Sequence, residues 1–359
     1  MSSRRPLIVV ALGGNALLRR GEPLDAATQR RNVEQAAGAI AELAASNRVV
    51  VTHGNGPQVG LLALQSEASA EVPPYPLDVL GAESEGMVGY MIEQSLQGRL
   101  GDQPCCTLLT EVLVDPADPA FESPSKPIGP AYDRRTAERL AAERGWTVGP
   151  DGDRWRRLVA SPEPLEIVEL LTLRLLVEDG VLVVCAGGGG IPVAIDEAGA
   201  LYGVEAVIDK DLAAALLARE LGADALLMLT DVACVERNHG TPAAHPIREV
   251  FAAELDPDEF APGSMRPKVK AARRFAQETG RPAMIGSLGE AAAVLAGAAG
   301  TRVRGEAMPA GEVSEGRVAH LRDRAGQLEE DAALTERLAR RAGRPALGLR
   351  PPWRAPEER

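Results

Sequence analysis

Short apolar runs alternate along this chain with longer segments whose apolar residues recur every three or four positions, the pattern of strands feeding helices. Residues 7–12 and 49–52 read as buried strands, and each ends in a glycine turn, Gly13-Gly14-Asn15 and Gly54-Asn55-Gly56. Helical spacing covers 26–45 and resumes at Gln58, with Pro57 at the favoured first helical position. Two successive strand–turn–helix units predict a parallel sheet with crossover helices. The pattern continues with a helix over 82–99, a strand over 105–114, a helix over 166–178, and a strand over 181–185 that runs into Gly187 to Gly190. Residues 203–211 then deliver Asp209, Lys210 and Asp211 to a helix over 212–221 rich in alanine and leucine. A strand over 225–229 ends in Thr230-Asp231, and a basic helix over 264–278 and strands near 283–286 and 301–303 complete the body. No internal repeat is evident.

Two regions depart from this rhythm. Between 115 and 162 prolines recur, followed by a short helical segment over 136–144 and a polar, hairpin-like piece over 146–159, an excursion from the sheet. Residues 305–359 hold ten Lys and Arg against ten Asp and Glu, so the acidic excess lies in the body. Val318, Leu321, Ala325, Leu328 and Ala332 allow one helix of modest amphipathicity there, before a Pro351-Pro352 end expected to be disordered. A frayed or packed appendage and a partner-docking element are both open for this tail.

The net charge of −12 argues against a polyanion-binding surface, so no nucleic-acid partner is expected. No run of about twenty apolar residues predicts a membrane span, and the short 7–12 run has no cleavage site of a signal peptide. Cys105, Cys106, Cys185 and Cys234 lack metal-ligand spacing and suit a reducing cytoplasm.

Four predicted strands end in glycine-rich or polar turns, and ligands of an α/β sheet gather beyond the carboxyl ends of its strands. Backbone N–H groups in such turns can cradle phosphoryl oxygens. None fits a P-loop, because no Gly-Lys-Ser/Thr follows at the required spacing, and none fits a dinucleotide fingerprint. Phosphoryl transfer needs neutralised, well-placed charge. Lysine occurs only at Lys126, Lys210, Lys268 and Lys270, other basic positions being arginine, so a lysine inside a motif carries weight. The plainer reading of the Asp209-Lys210-Asp211 run is an acidic helix cap beside a solvated lysine. Lys270 reads as a solvated helix face, and His53 as a hydrogen-bonding organiser rather than a base.

Several stretches taken together resemble the carbamate kinase family of the amino-acid kinase superfamily. They are residues 10–16, 52–60, 114–118, 126–130, 185–192, 203–211 and 260–269, in family order across about 6–304. His53-Gly54-Asn55-Gly56-Pro57-Gln58 and Val207-Ile208-Asp209-Lys210-Asp211 are the most specific. The resemblance implies a three-layer α/β/α sandwich with a mainly parallel central sheet over 1–304, a protruding subdomain over 115–162, and 305–359 as an added extension. It further implies a homodimer catalysing reversible phosphoryl transfer between ATP and carbamate, often run toward ATP from carbamoyl phosphate and ADP. Mg²⁺ would arrive with the nucleotide phosphates, without a protein metal site.

On the matching positions, Gly13, Gly14, Asn15, Gly54, Asn55, Gly188 and Gly189 would hold carbamoyl phosphate. Lys210 would neutralise the migrating phosphoryl group, Asp211 would orient the lysines, and Lys126 would reach in from the excursion. Lys268, with Asp209, Thr230, Asp231, His239 and Met265, would serve the nucleotide. Other superfamily members carry a lysine in the first strand. Here Ala11 stands there, which leaves the charge to Lys210.

Glu83 and Glu85 stand where family members usually carry Met and Gln. A carboxylate facing the substrate there would weaken binding by about 1 kcal/mol or more. The alternatives are a phosphotransferase of the same fold acting on a different small acid, and a non-catalytic nucleotide-binding regulator.

Overall fold

The first strand shows how the layers arise. In Leu7–Leu12 every residue is buried, and alternate side chains enter different cores. Leu7, Val9 and Ala11 pack with Leu173, Leu217 and Phe275, whereas Ile8, Val10 and Leu12 pack with Val33, Ile40, Ile92 and Val294. A strand buried on both faces must be apolar throughout, which is why residues 7–12 carry no polar alternation.

The computed structural model describes residues 5–18, 21–69, 71–261 and 263–305, and of residues 15 and 16 the backbone alone. The tail call over 305–359 therefore lies outside the described residues from 306 onward.

Nine α-helices are described: α1 (Gly14–Leu17), α2 (Ala26–Ala44), α3 (Gly56–Glu67), α4 (Leu77–Gln97), α5 (Arg134–Arg144), α6 (Leu170–Glu178), α7 (Lys210–Glu220), α8 (Met265–Thr279) and α9 (Ala291–Leu295). Helices α2, α4 and α9 cover one face of an eight-stranded sheet, and α6, α7 and α8 cover the other. The strand order is Glu249–Phe251, Thr301–Arg304, Ala283–Ser287, Ala225–Thr230, Leu7–Leu12, Arg48–His53, Leu182–Cys185, Cys105–Leu108. All neighbours are parallel except Ala283–Ser287 with Thr301–Arg304. The expected three-layer sandwich with a mainly parallel sheet is what forms. The chain leaves Leu7–Leu12 toward Arg48–His53 on one side and later returns on the other at Ala225–Thr230, so a crevice opens where the order reverses.

Two expected elements are corrected. The 105–114 run is not one strand: Cys105–Leu108 is the sheet edge, and Glu111–Leu113 joins Ile191–Ile195 and Glu166–Ile167 in a separate small sheet. The 166–178 helix begins only at Leu170, because Glu166–Ile167 is taken into that sheet. Beyond it, Lys126–Tyr132, Arg154–Val159 and Thr147–Asp151 form a three-stranded antiparallel sheet carrying α5. This sheet meets α3 backbone to backbone: a Cβ placed on Gly60 would lie 1.9 Å from Gly129 Cα, so only glycine fits there.

Candidate active site

The start of α7 gathers the charges. Asp209 is its N-cap, with Oδ1 accepting from the backbone N–H of Asp211 at 2.9 Å and of Leu212 at 3.3 Å. Its other oxygen accepts from Lys126 Nζ at 2.5 Å, across from the three-stranded sheet. Asp211 accepts from Lys210 Nζ at 2.6 Å through Oδ1 and from Lys268 Nζ at 3.0 Å through Oδ2. Three of the four lysines thus meet on two carboxylates. The plain cap reading holds for Asp209, but Lys210 is not solvated: its side chain is only 11% exposed. Lys270 does lie outward, paired with Glu163.

Burial and pairing set these groups apart. Burial raises Asp211, but Lys210 and Lys268 beside it pull its carboxyl well below the usual carboxylate range. Asp209 is likewise lowered, because burial is outweighed by Lys126 and its hydrogen bond. Burial, with repulsion from Lys268, brings Lys210 down to about 8 despite its tie to Asp211. Burial pushes Lys268 the same way, yet Asp211, Asp209 and Asp231 together raise it.

The glycine turns close around this cluster. A Cβ on Gly54 would lie 3.0 Å from Gly14 N and 3.3 Å from Lys210 Cδ, so the first two turns and the lysine touch. The Gly13 N–H donates to Leu229 O at 2.7 Å, tying the first turn to the strand that ends at Thr230. In the 187–190 turn, Gly188 and Gly189 have φ of 71° and 106°. A side chain at Gly188 would strike the Asn55 amide at 2.0 Å, and one at Gly189 would strike Ile208 O at 2.7 Å. Asn55 itself donates to Ser84 Oγ at 2.7 Å. The side chain of Asn15 lies outside the described residues.

On the nucleotide side, Thr230 is buried and donates to Asp231 at 3.0 Å. Met265 opens α8 one turn before Lys268 and packs on the core beneath α7 and α8. His239 is not brought to the lysine cluster: it stands exposed, its Nδ1 against Glu236 at 2.7 Å. His53 is fully buried and burial holds it down to about 4, so it is neutral, with Nδ1 facing Gly54 O at 3.2 Å. A neutral, buried ring set against the Gly54 carbonyl is what an organiser requires. Among the described residues, no three His, Cys, Asp or Glu side chains are grouped so as to hold a metal.

Sequence reasoning missed the braces behind the 187–190 turn. Thr52 Oγ1 donates to Ala186 O at 2.8 Å, Ala186 N–H donates to Thr110 Oγ1 at 3.1 Å, and Gly187 N–H donates to Glu85 Oε1 at 2.9 Å. Glu83 is exposed on α4, whereas Glu85 is fully buried beneath the turn. A signal existed: Leu77, Leu80, Ser84, Val88 and Ile92 form the buried stripe of α4, and Glu85 lies on it.

The chain is similar to known proteins over most of its length. The profile of the Amino acid kinase family matches residues 6–287. The carbamate kinase of Haemophilus influenzae is 52% identical over 297 residues, covering 82% of this chain and 96% of that protein. That of Pyrococcus horikoshii is 46% identical over 309 residues, covering 82% and 98%. The structure of carbamate kinase from Giardia lamblia bound to AMP-PNP superposes with a TM-score of 0.77 at 44% identity, covering 85% of this chain and 100% of that one.

Proposed function

The chain belongs to the Amino acid kinase family, in its carbamate kinase branch, and from that premise we propose that it transfers a phosphoryl group reversibly between ATP and carbamate. The observation that carries this reading is the meeting of Lys126, Lys210 and Lys268 on Asp209 and Asp211 beside the glycine turns. In the direction of ATP synthesis, a terminal β-phosphate oxygen of ADP attacks the phosphorus of carbamoyl phosphate. The P–O bond to the carbamoyl group breaks, and carbamate leaves as an anion. No proton has to move, so the neutral His53 is not required as a base. What the reaction needs is charge stabilisation in a shielded site.

Lys210, between the first two glycine turns, would follow the phosphoryl group. Gly13, Gly14, Asn15, Gly54, Asn55, Gly188 and Gly189 would hold the carbamoyl phosphate side. Lys268 would take the nucleotide phosphates, with Thr230, Asp231 and Met265 nearby. Lys126 would add its charge from the three-stranded sheet, which we read, within the 115–162 excursion, as a subdomain of a 1–304 catalytic domain. Asp211 would hold Lys210 and Lys268 in register. Because Asp209 and Asp211 already face ammonium groups, the site fits a Mg²⁺ ion carried by the nucleotide phosphates better than one caged by the protein. Such an ion would neutralise phosphate oxygens.

We also read the protein as a cytoplasmic homodimer. Four free cysteines suit a reducing compartment. Leu171 and Leu175, one turn apart on α6, are 69% and 61% exposed, with Leu109 and Leu165 also exposed. A second copy would cover them.

Formation of ATP from carbamoyl phosphate and ADP in a coupled assay tests the activity. Turnover with another small acid and none with carbamoyl phosphate would overturn it in favour of altered specificity, and nucleotide binding without any turnover would favour a regulator. The relatives favour neither alternative.

A further inference from the structure

Glu85 is out of place by ordinary rules: a carboxyl group with no exposed surface, and no lysine or arginine among its hydrogen-bond partners. It accepts from Gly187 N–H at 2.9 Å and faces Thr110 N–H at 3.4 Å. Its neighbour Ser84 accepts from Asn55, so one turn of α4 supports two of the glycine turns from below. A Cβ on Gly187 would lie 2.9 Å from Glu85 Cγ and 2.4 Å from His53 Nε2, so the turn rests directly on both side chains.

We propose that Glu85 is a positioning residue for this reaction: by holding Gly187 and Thr110 it locks the 186–190 turn against Asn55 and Ile208, and so sets the affinity for carbamoyl phosphate. The inference rests on the carbamate kinase reading and adds to it a residue that does not touch the substrate. Its partners explain the form it takes. The groups around it are His53 from the second strand, Glu169 ahead of α6, and Cys185 at the end of its strand. None is cationic. Burial above all, with Glu169 adding repulsion, pushes the Glu85 carboxyl up to about 8. At neutral pH it is an uncharged acid, which keeps negative charge away from an anionic substrate. Ionisation above that range would place a charge behind the turn in a poorly screened site and weaken binding of carbamoyl phosphate.

The test compares the full-length native chain with Glu85→Leu and Glu85→Gln, reading KM for carbamoyl phosphate and for ADP from about pH 7 to about pH 9. Glu85→Leu removes every acceptor and should raise KM for carbamoyl phosphate about tenfold, with KM for ADP within about twofold. Glu85→Gln keeps an acceptor for Gly187 and should restore most of that loss at about pH 7. The ratio of native to Glu85→Gln KM should then climb as pH passes about 8, because only the native side chain gains charge. Titration of Lys210 is common to both and cancels in the ratio.

A pH-independent ratio, or equal loss of affinity for both substrates in Glu85→Leu, overturns the proposal. Should Glu85→Leu fail to fold, the pH dependence of the ratio decides alone. A native chain inactive on carbamoyl phosphate overturns the functional reading itself, and the inference with it. An active native chain with a flat ratio overturns only the inference.

Discussion

Two buried sets of titratable groups lie side by side in this molecule, and they have been resolved in opposite ways. At the start of α7, Asp209 and Asp211 keep their charge because Lys126, Lys210 and Lys268 face them. Behind the 186–190 turn, Glu85 and His53 are just as buried but have no ammonium or guanidinium group among their hydrogen-bond partners, and burial holds both neutral. A buried ionisable group must find a counter-charge or give up its own. In the proposed function the charged set answers an incoming phosphate, its ammonium groups turning from carboxylate to substrate. The neutral set cannot, and its value lies in shape. A site for an anion needs both: mobile positive charge in front and an uncharged wall behind.

The comparison breaks most severely at Lys210. Lys210→Ala should lower kcat by about a thousandfold or more while the fold persists, as judged by circular dichroism and steady-state kinetics. A near-native rate would remove Lys210 from the charged set. On the neutral side, Gly188→Ala should cost about a hundredfold in kcat/KM, because its left-handed backbone resists a side chain and the new Cβ would lie 2.0 Å from the Asn55 amide. Activity within twofold of native would mean that the turn can give way freely.

A third prediction uses pH. In the role proposed for it Lys210 acts as its ammonium, and burial has brought that group down to about 8. The kcat/KM for ADP should therefore fall on the alkaline side, approaching a tenfold loss per pH unit above about 8. A profile flat to about pH 9.5 would argue that a different group carries the charge. The smallest effect is expected at Thr52, whose hydroxyl bonds Ala186 O at 2.8 Å. Thr52→Val should cost about 1 kcal/mol of stability in denaturant unfolding and leave the Lys210 pH profile in place.

The two sets also differ in how far they could be read from the chain. Lysine is rare here, and three of its four positions fall in motifs, so the charged set was visible before any coordinates. The neighbouring glycine turns followed from four strand ends. Of the neutral side, His53 was legible as an organiser, but the braces were not, since Thr52, Thr110 and Glu85 act through bonds to a turn 76 to 134 positions away for the two threonines, and 102 for Glu85. Local pattern carries no record of such bonds. Glu85 was read as a charge that could repel substrate because its burial depends on tertiary packing, although the α4 stripe held a hint. His239 was given a nucleotide role by the resemblance alone, and the structure shows its side chain exposed and paired with Glu236. The 105–114 run failed for another reason: a largely apolar stretch, broken here only by Thr107, Thr110 and Glu111, does not say that one sheet takes up all of it.

The near-contact of Gly60 with Gly129 has a further implication for how such enzymes can change. Lys126 opens the strand in which Gly129 lies, so the separation between α3 and that strand governs how deeply its ammonium reaches. A single methyl group at position 60 would act as a shim, lifting the whole arm and withdrawing a positive charge that the new methyl never meets. Under the role proposed for Lys126, its reach would then be tuned from a position with no chemistry of its own.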